Sequence, residues 1–124
     1  METQIMKISQ ALDECMAIDG AIAASVVDSN NGFMLGAQGK GLDLEYASAG
    51  NTELYHAKQK IMKNLGLTGE KIDDFLITLT TQLHILMPAH QLDGVFIYFV
   101  LDKNKGTLAL ARRQLKDIAS KLEL

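Results

Sequence analysis

Three histidines, one cysteine, a pair of adjacent aspartates, a glycine-rich run and an arginine pair are the residues whose types and spacing could support chemistry. His56, His84 and His90 are never three or four residues apart, so no helical metal pair can form. Asp73 and Asp74 are neighbours, and successive residues of a strand point to opposite faces, so the two carboxylates cannot share one acid–base task. Cys15 falls on an apolar helical stripe with no basic residue beside it, the setting of a buried, inert thiol. The run from Gly36 to Gly41 with Lys40 suggests a phosphate loop, but it lacks both the hydroxyl residue after the lysine and the four-residue interval between glycines. It reads as a flexible connection. Arg112 and Arg113 could be offered to a phosphate as arginine fingers, yet helical neighbours diverge by ~100°, so at most one could act. Ser25, Ser29 and Ser48 lack the glycine flanks of a nucleophile elbow. The expectation is a chain with no catalytic residue, no cofactor site and no metal site.

The elements that would carry these residues fit one domain spanning residues 1–124. Apolar residues make up 48% and charged residues 22%, the balance of a folded globular chain rather than a disordered one. Twelve basic against fifteen acidic residues give a net charge of −3, which argues against a general nucleic-acid binder. The single cysteine needs no oxidising compartment. The polar N-terminus does not suit a signal peptide and no apolar run approaches a membrane span, so a cytoplasmic location is expected.

Ile5, Ile8, Leu12 and Cys15 hold helical spacing ahead of a stop at Gly20. Residues 21–28 and 33–38 read as two strands joined by the hairpin turn Ser29–Gly32. A long helix follows from Leu44 to Leu65, capped by Asp43 and stopped at Gly66. Three strands then span 74–81, 83–87 and 94–101, the last apolar at nearly every position and therefore central. Thr107 is placed to cap a final helix through Leu108, Ala111, Leu115, Ile118 and Leu122. The class is α+β, a five-stranded antiparallel sheet with helices on both faces.

The apolar arc of the long helix is wider than docking on one sheet requires. Ala47, Leu54, Ile61 and Leu65 are expected to meet the sheet. Leu44, Ser48, Tyr55 and Met62 form a second row, free for a partner. Gly50 costs ~1 kcal/mol inside a helix, which suggests that something packs closely there.

The ALDE of residues 11–14, the following DGAIAASVVDSNNGFML, the long helix after GLDLEYASAG and the terminal GTLALARRQLKDIASKLEL resemble the Roadblock (dynein light chain) family over essentially the whole chain. The resemblance implies strand order 2-1-5-4-3, homodimers or heterodimers, and scaffolding or regulation of Ras-like small GTPases or motor complexes. That order also puts the two most apolar strands inside the sheet. The expected function is a non-enzymatic, homodimeric interaction module. A small-ligand sensor of profilin-like or PAS-like architecture is the alternative, and the unbroken helix and the bulky Phe96, Tyr98 and Phe99 argue against it. The expected dimer interface comprises Leu44, Ser48, Tyr55 and Met62 with Ile77, Thr78 and Leu79 of the edge strand, which would aggregate unless covered or paired.

Overall fold

A computed structural model describes residues 5–124. The elements run α1 (Ile8–Met16), β1 (Ala21–Asp28), β2 (Phe33–Gly39), α2 (Leu44–Asn64), β3 (Phe75–Thr78), β4 (Gln82–Pro88), β5 (Val95–Asp102) and α3 (Leu108–Lys121). All strand pairs are antiparallel, in the order β2-β1-β5-β4-β3. The expected architecture and order are both present.

β5 is central because its side chains have an apolar partner on either face. Ile97, Phe99 and Leu101 join Val26, Ile85, Leu12, Cys15, Leu115 and Ile118 in the core beneath α1 and α3. Phe96, Tyr98 and Val100 join Ala23, Val27 and Leu86 in the core beneath α2. A two-faced strand of this kind must be apolar throughout, which is why GVFIYFVL was legible as interior.

Two ends of the chain differ from their sequence expectation. Ile5 precedes α1 and is exposed, whereas Met6 is buried and forms a parallel bridge to Leu122. The Met6 N–H donates to the Lys121 carbonyl at 2.8 Å, and the Glu123 N–H donates to the Met6 carbonyl at 2.7 Å. This short clasp pairs both backbone groups of Met6 with the C-terminal segment. Thr107 takes the extended N-cap conformation of α3, but its hydroxyl makes no capping hydrogen bond.

β3 is shorter than the expected strand 74–81. The Leu79 N–H turns back to the Gln82 carbonyl at 2.8 Å, so Leu79–Thr81 form the connection to β4. At the other edge of the sheet, Val26 pairs with Gly36 and Val27 with Met34, which leaves Leu35 unpaired at a bulge.

Candidate interaction surface

α2 begins as its sequence specifies. The Asp43 carboxylate accepts from the Tyr46 N–H at 3.0 Å, Glu45 lies in the first turn and Lys63 in the last, all favourable to the helix dipole.

The two apolar rows of α2 are interchanged relative to expectation. Ser48 is fully buried, with its Oγ 3.3 Å from Ser25 Oγ and donating to the Leu44 carbonyl at 2.6 Å. Thr52 is also buried and donates to the Ser48 carbonyl at 2.8 Å. Leu44 and Tyr55 pack on the core under α2, and Met62 is half-buried. The Leu44–Ser48–Tyr55–Met62 row is therefore the sheet-facing side of the helix, and Ser48 is not available to a partner. The physical reason is that a small hydroxyl bonded within its own helix permits close approach to β1 without leaving a polar group unsatisfied.

The outward row is the one expected to meet the sheet. Ala47 packs on the core, but Leu54, Ile61 and Leu65 are 36%, 50% and 67% exposed. β3 forms the edge of the sheet, paired only with β4. Phe75 pairs with Leu86 and Ile77 with His84, on the α2 side of the sheet, while Leu76 and Thr78 pair with Ile85 and Leu83 on the other side. Ile77 and Leu79 are both exposed. α2 and the terminal strand each expose apolar side chains, and β3 leaves its outer edge unpaired.

The groups with chemical potential do not converge on a reactive centre. His84 Nδ1 lies 3.0 Å from the Tyr98 hydroxyl and its Nε2 lies 2.9 Å from Gln82 Oε1. Burial lowers the imidazole pKa below its ordinary value, so the ring is held neutral. Neutral His84 accepts from the tyrosine and donates to the glutamine, a structural role. Cys15 is buried, and burial together with the nearby Glu14 charge pushes its thiol up to about 12. That thiol is no nucleophile.

Arg112 is engaged with Asp74, its Nε at 2.6 Å and its Nη2 at 3.0 Å from the two carboxylate oxygens. This forked contact ties α3 to the segment entering β3 and removes Arg112 as a free finger. Asp73 and Asp74 precede β3 rather than lying in a strand as expected; Asp73 is exposed and Asp74 holds the arginine. The glycine run also has a structural explanation. Gly39 has φ +107°, and a Cβ there would lie 2.4 Å from the Ala23 backbone, so strand approach requires the glycine. Among the described residues, no group of three or more His, Cys, Asp or Glu side chains is arranged to hold a metal ion. No described helix is long and apolar enough to cross a membrane.

The chain has the fold of the Roadblock/LC7 class. A Roadblock/LC7 domain from Streptomyces avermitilis superposes with a TM-score of 0.78 at 12% identity, over 92% of each chain. MglB of Myxococcus xanthus superposes with a TM-score of 0.78 at 17% identity, over 92% of this chain and 89% of the other. A structure described as MglB with tetrameric arrangement gives 0.78 at 17%, over 97% and 92%. No family model and no curated protein matches the sequence.

Proposed function

We propose that this chain is a non-enzymatic interaction module that self-associates through α2 and β3 and, as a dimer, binds or regulates a Ras-like small GTPase in the cytoplasm. The observation that carries the reading is the exposure of Leu54, Ile61 and Leu65 on α2 and of Ile77 and Leu79 at the end of the open-edged β3. A two-fold axis beside β3 would pair that strand with its copy and bring these side chains against their mates, because an isologous interface uses one patch twice. Each Leu or Ile side chain fully covered would contribute on the order of 1.5–3 kcal/mol. Thr78 would sit in the paired edge, and half-buried Met62 would flank the seam. Leu44, Tyr55 and Ser48 would support it from beneath.

The tetrameric MglB structure, which shares this fold, favours self-association. The GTPase partner rests on the Roadblock resemblance, and the GTPase itself would carry the phosphate and magnesium machinery. A ligand sensor fits less well, because the Tyr55 and Phe96 rings already occupy the space between α2 and the sheet. The test is affinity capture of GTPases from the source cell on the immobilised chain, followed by GTP hydrolysis assays. A captured GTPase whose hydrolysis or nucleotide state responds only when this chain is present supports the reading. Stoichiometric GTP binding or hydrolysis by the isolated chain would overturn it.

A further inference from the structure

The sheet has a second open edge, and the proposed dimer leaves it unused. β2 terminates the sheet opposite β3 and carries no Lys, Arg or Pro, so the bulge at Leu35 is its one edge-breaking feature. Between β2 and the neighbouring flank of α2 lies a groove of about 810 Å³. Phe33 and Leu35 line it from β2 and are 66% and 39% exposed. Leu35 is the unpaired residue of the bulge, and bulges at sheet edges commonly re-aim a side chain toward a binding site.

From α2, Ala49 leaves room in the groove, and Glu45, Glu53 and His56 set its charge. Among the described residues, neither Glu45 nor Glu53 enters an ion pair, and no Lys or Arg lines the groove. A mixed groove, with apolar Phe33, Met34 and Leu35 on one wall and two carboxylates outside any ion pair on the other, beside an unpaired strand edge, has a definite complement.

We propose that this groove docks an extended segment of a partner protein in which apolar side chains alternate with Lys or Arg. The apolar side chains would cover Phe33 and Leu35, the cations would meet Glu45 and Glu53, and the backbone would run beside β2. A second copy of this chain is the poorer occupant. A β2–β2 pair would bring Glu45 and Glu53 of both copies to one seam, where like charges repel. The site lies on the flank of α2 away from the β3 edge, so this inference does not rest on the proposed dimer.

Selection from a displayed random dodecapeptide library against the full chain tests it. Enriched peptides should alternate apolar residues with Lys or Arg. A synthetic copy should perturb amide resonances in 33–39 and along 45–56, and its affinity should fall as salt rises. Glu45→Lys combined with Glu53→Lys should weaken that peptide at least tenfold, as should Phe33→Ser, with the circular dichroism of each variant unchanged. Ile61→Asp, on the opposite flank, should leave the affinity within twofold. Acidic or purely apolar peptides, perturbation confined to the β3 edge, full affinity after the double charge reversal, no enrichment, or self-association through β2 would each overturn the proposal.

Discussion

The Tyr55 ring lies stacked on Phe96, with centroids 5.7 Å apart and planes 13° from parallel. This contact fixes the rotation of α2 on the sheet, because it commits the Leu44–Tyr55–Met62 side of the helix to the core and turns Leu54, Ile61 and Leu65 outward. Tyr55→Ala removes a half-buried ring from Phe96 and Phe75 and is expected to destabilise the fold by about 2 kcal/mol, below the range for a fully buried aromatic. Urea unfolding should show the midpoint falling with little change in slope. A loss below about 0.5 kcal/mol would contradict the assigned rotation.

How much of this was legible in the sequence differs from element to element. Element order, the central place of β5 and the Asp43 cap were written in period, length and residue type, all local signals. The rotation of α2 was not. Pattern reading gives the sheet the more apolar row, yet Ser48 and Thr52 face inward because each hydroxyl is satisfied inside the helix and is small enough for close contact. Which edge of a wide apolar arc meets a sheet depends on tertiary packing. The shortness of β3 was hidden for a similar reason, since the return of Leu79 to Gln82 is a property of the turn rather than of either strand.

His84 makes stability depend on pH in a defined direction. Its pKa lies below the ordinary 6.5 in the folded state because burial disfavours the charged ring. The unfolded chain therefore takes up the proton first as pH falls. The contribution of neutral His84 is complete above about pH 6.5 and is lost as pH drops below it through the folded pKa. Urea midpoints measured from pH 7.5 to 5.0 should fall more steeply for the wild type than for His84→Gln. Parallel curves would contradict this role.

Cys15 should be inert in the native protein. With the thiol pushed up from 9.0 to about 12, almost no thiolate exists at neutral pH, and burial blocks access to it. Ellman's reagent at pH 8 should label it only at the rate of unfolding, and rapidly in denaturant. The same shift predicts that its contribution to stability is complete below pH 9 and lost as pH rises toward 12. Rapid stoichiometric labelling of the folded chain would contradict the buried placement.

Gly50 stands in the interior of α2 with nothing within 4 Å of where a Cβ would sit. The protomer itself therefore gives no packing reason for the glycine. Gly50→Ala should stabilise the isolated protomer by about 0.5–1 kcal/mol through helix propensity. Thermal melts on the Ile61→Asp background should show the gain, and a lower melting temperature there would contradict the open space seen around this residue.

Light scattering coupled to size exclusion reports whether the outward row of α2 and the β3 edge form a self-association surface. At micromolar concentration the wild type should elute with twice the 13.6 kDa protomer mass. Ile61→Asp places a carboxylate from each copy in the seam and should elute as a folded monomer with unchanged circular dichroism. A monomeric wild type, or an undisturbed Ile61→Asp dimer, would contradict the account.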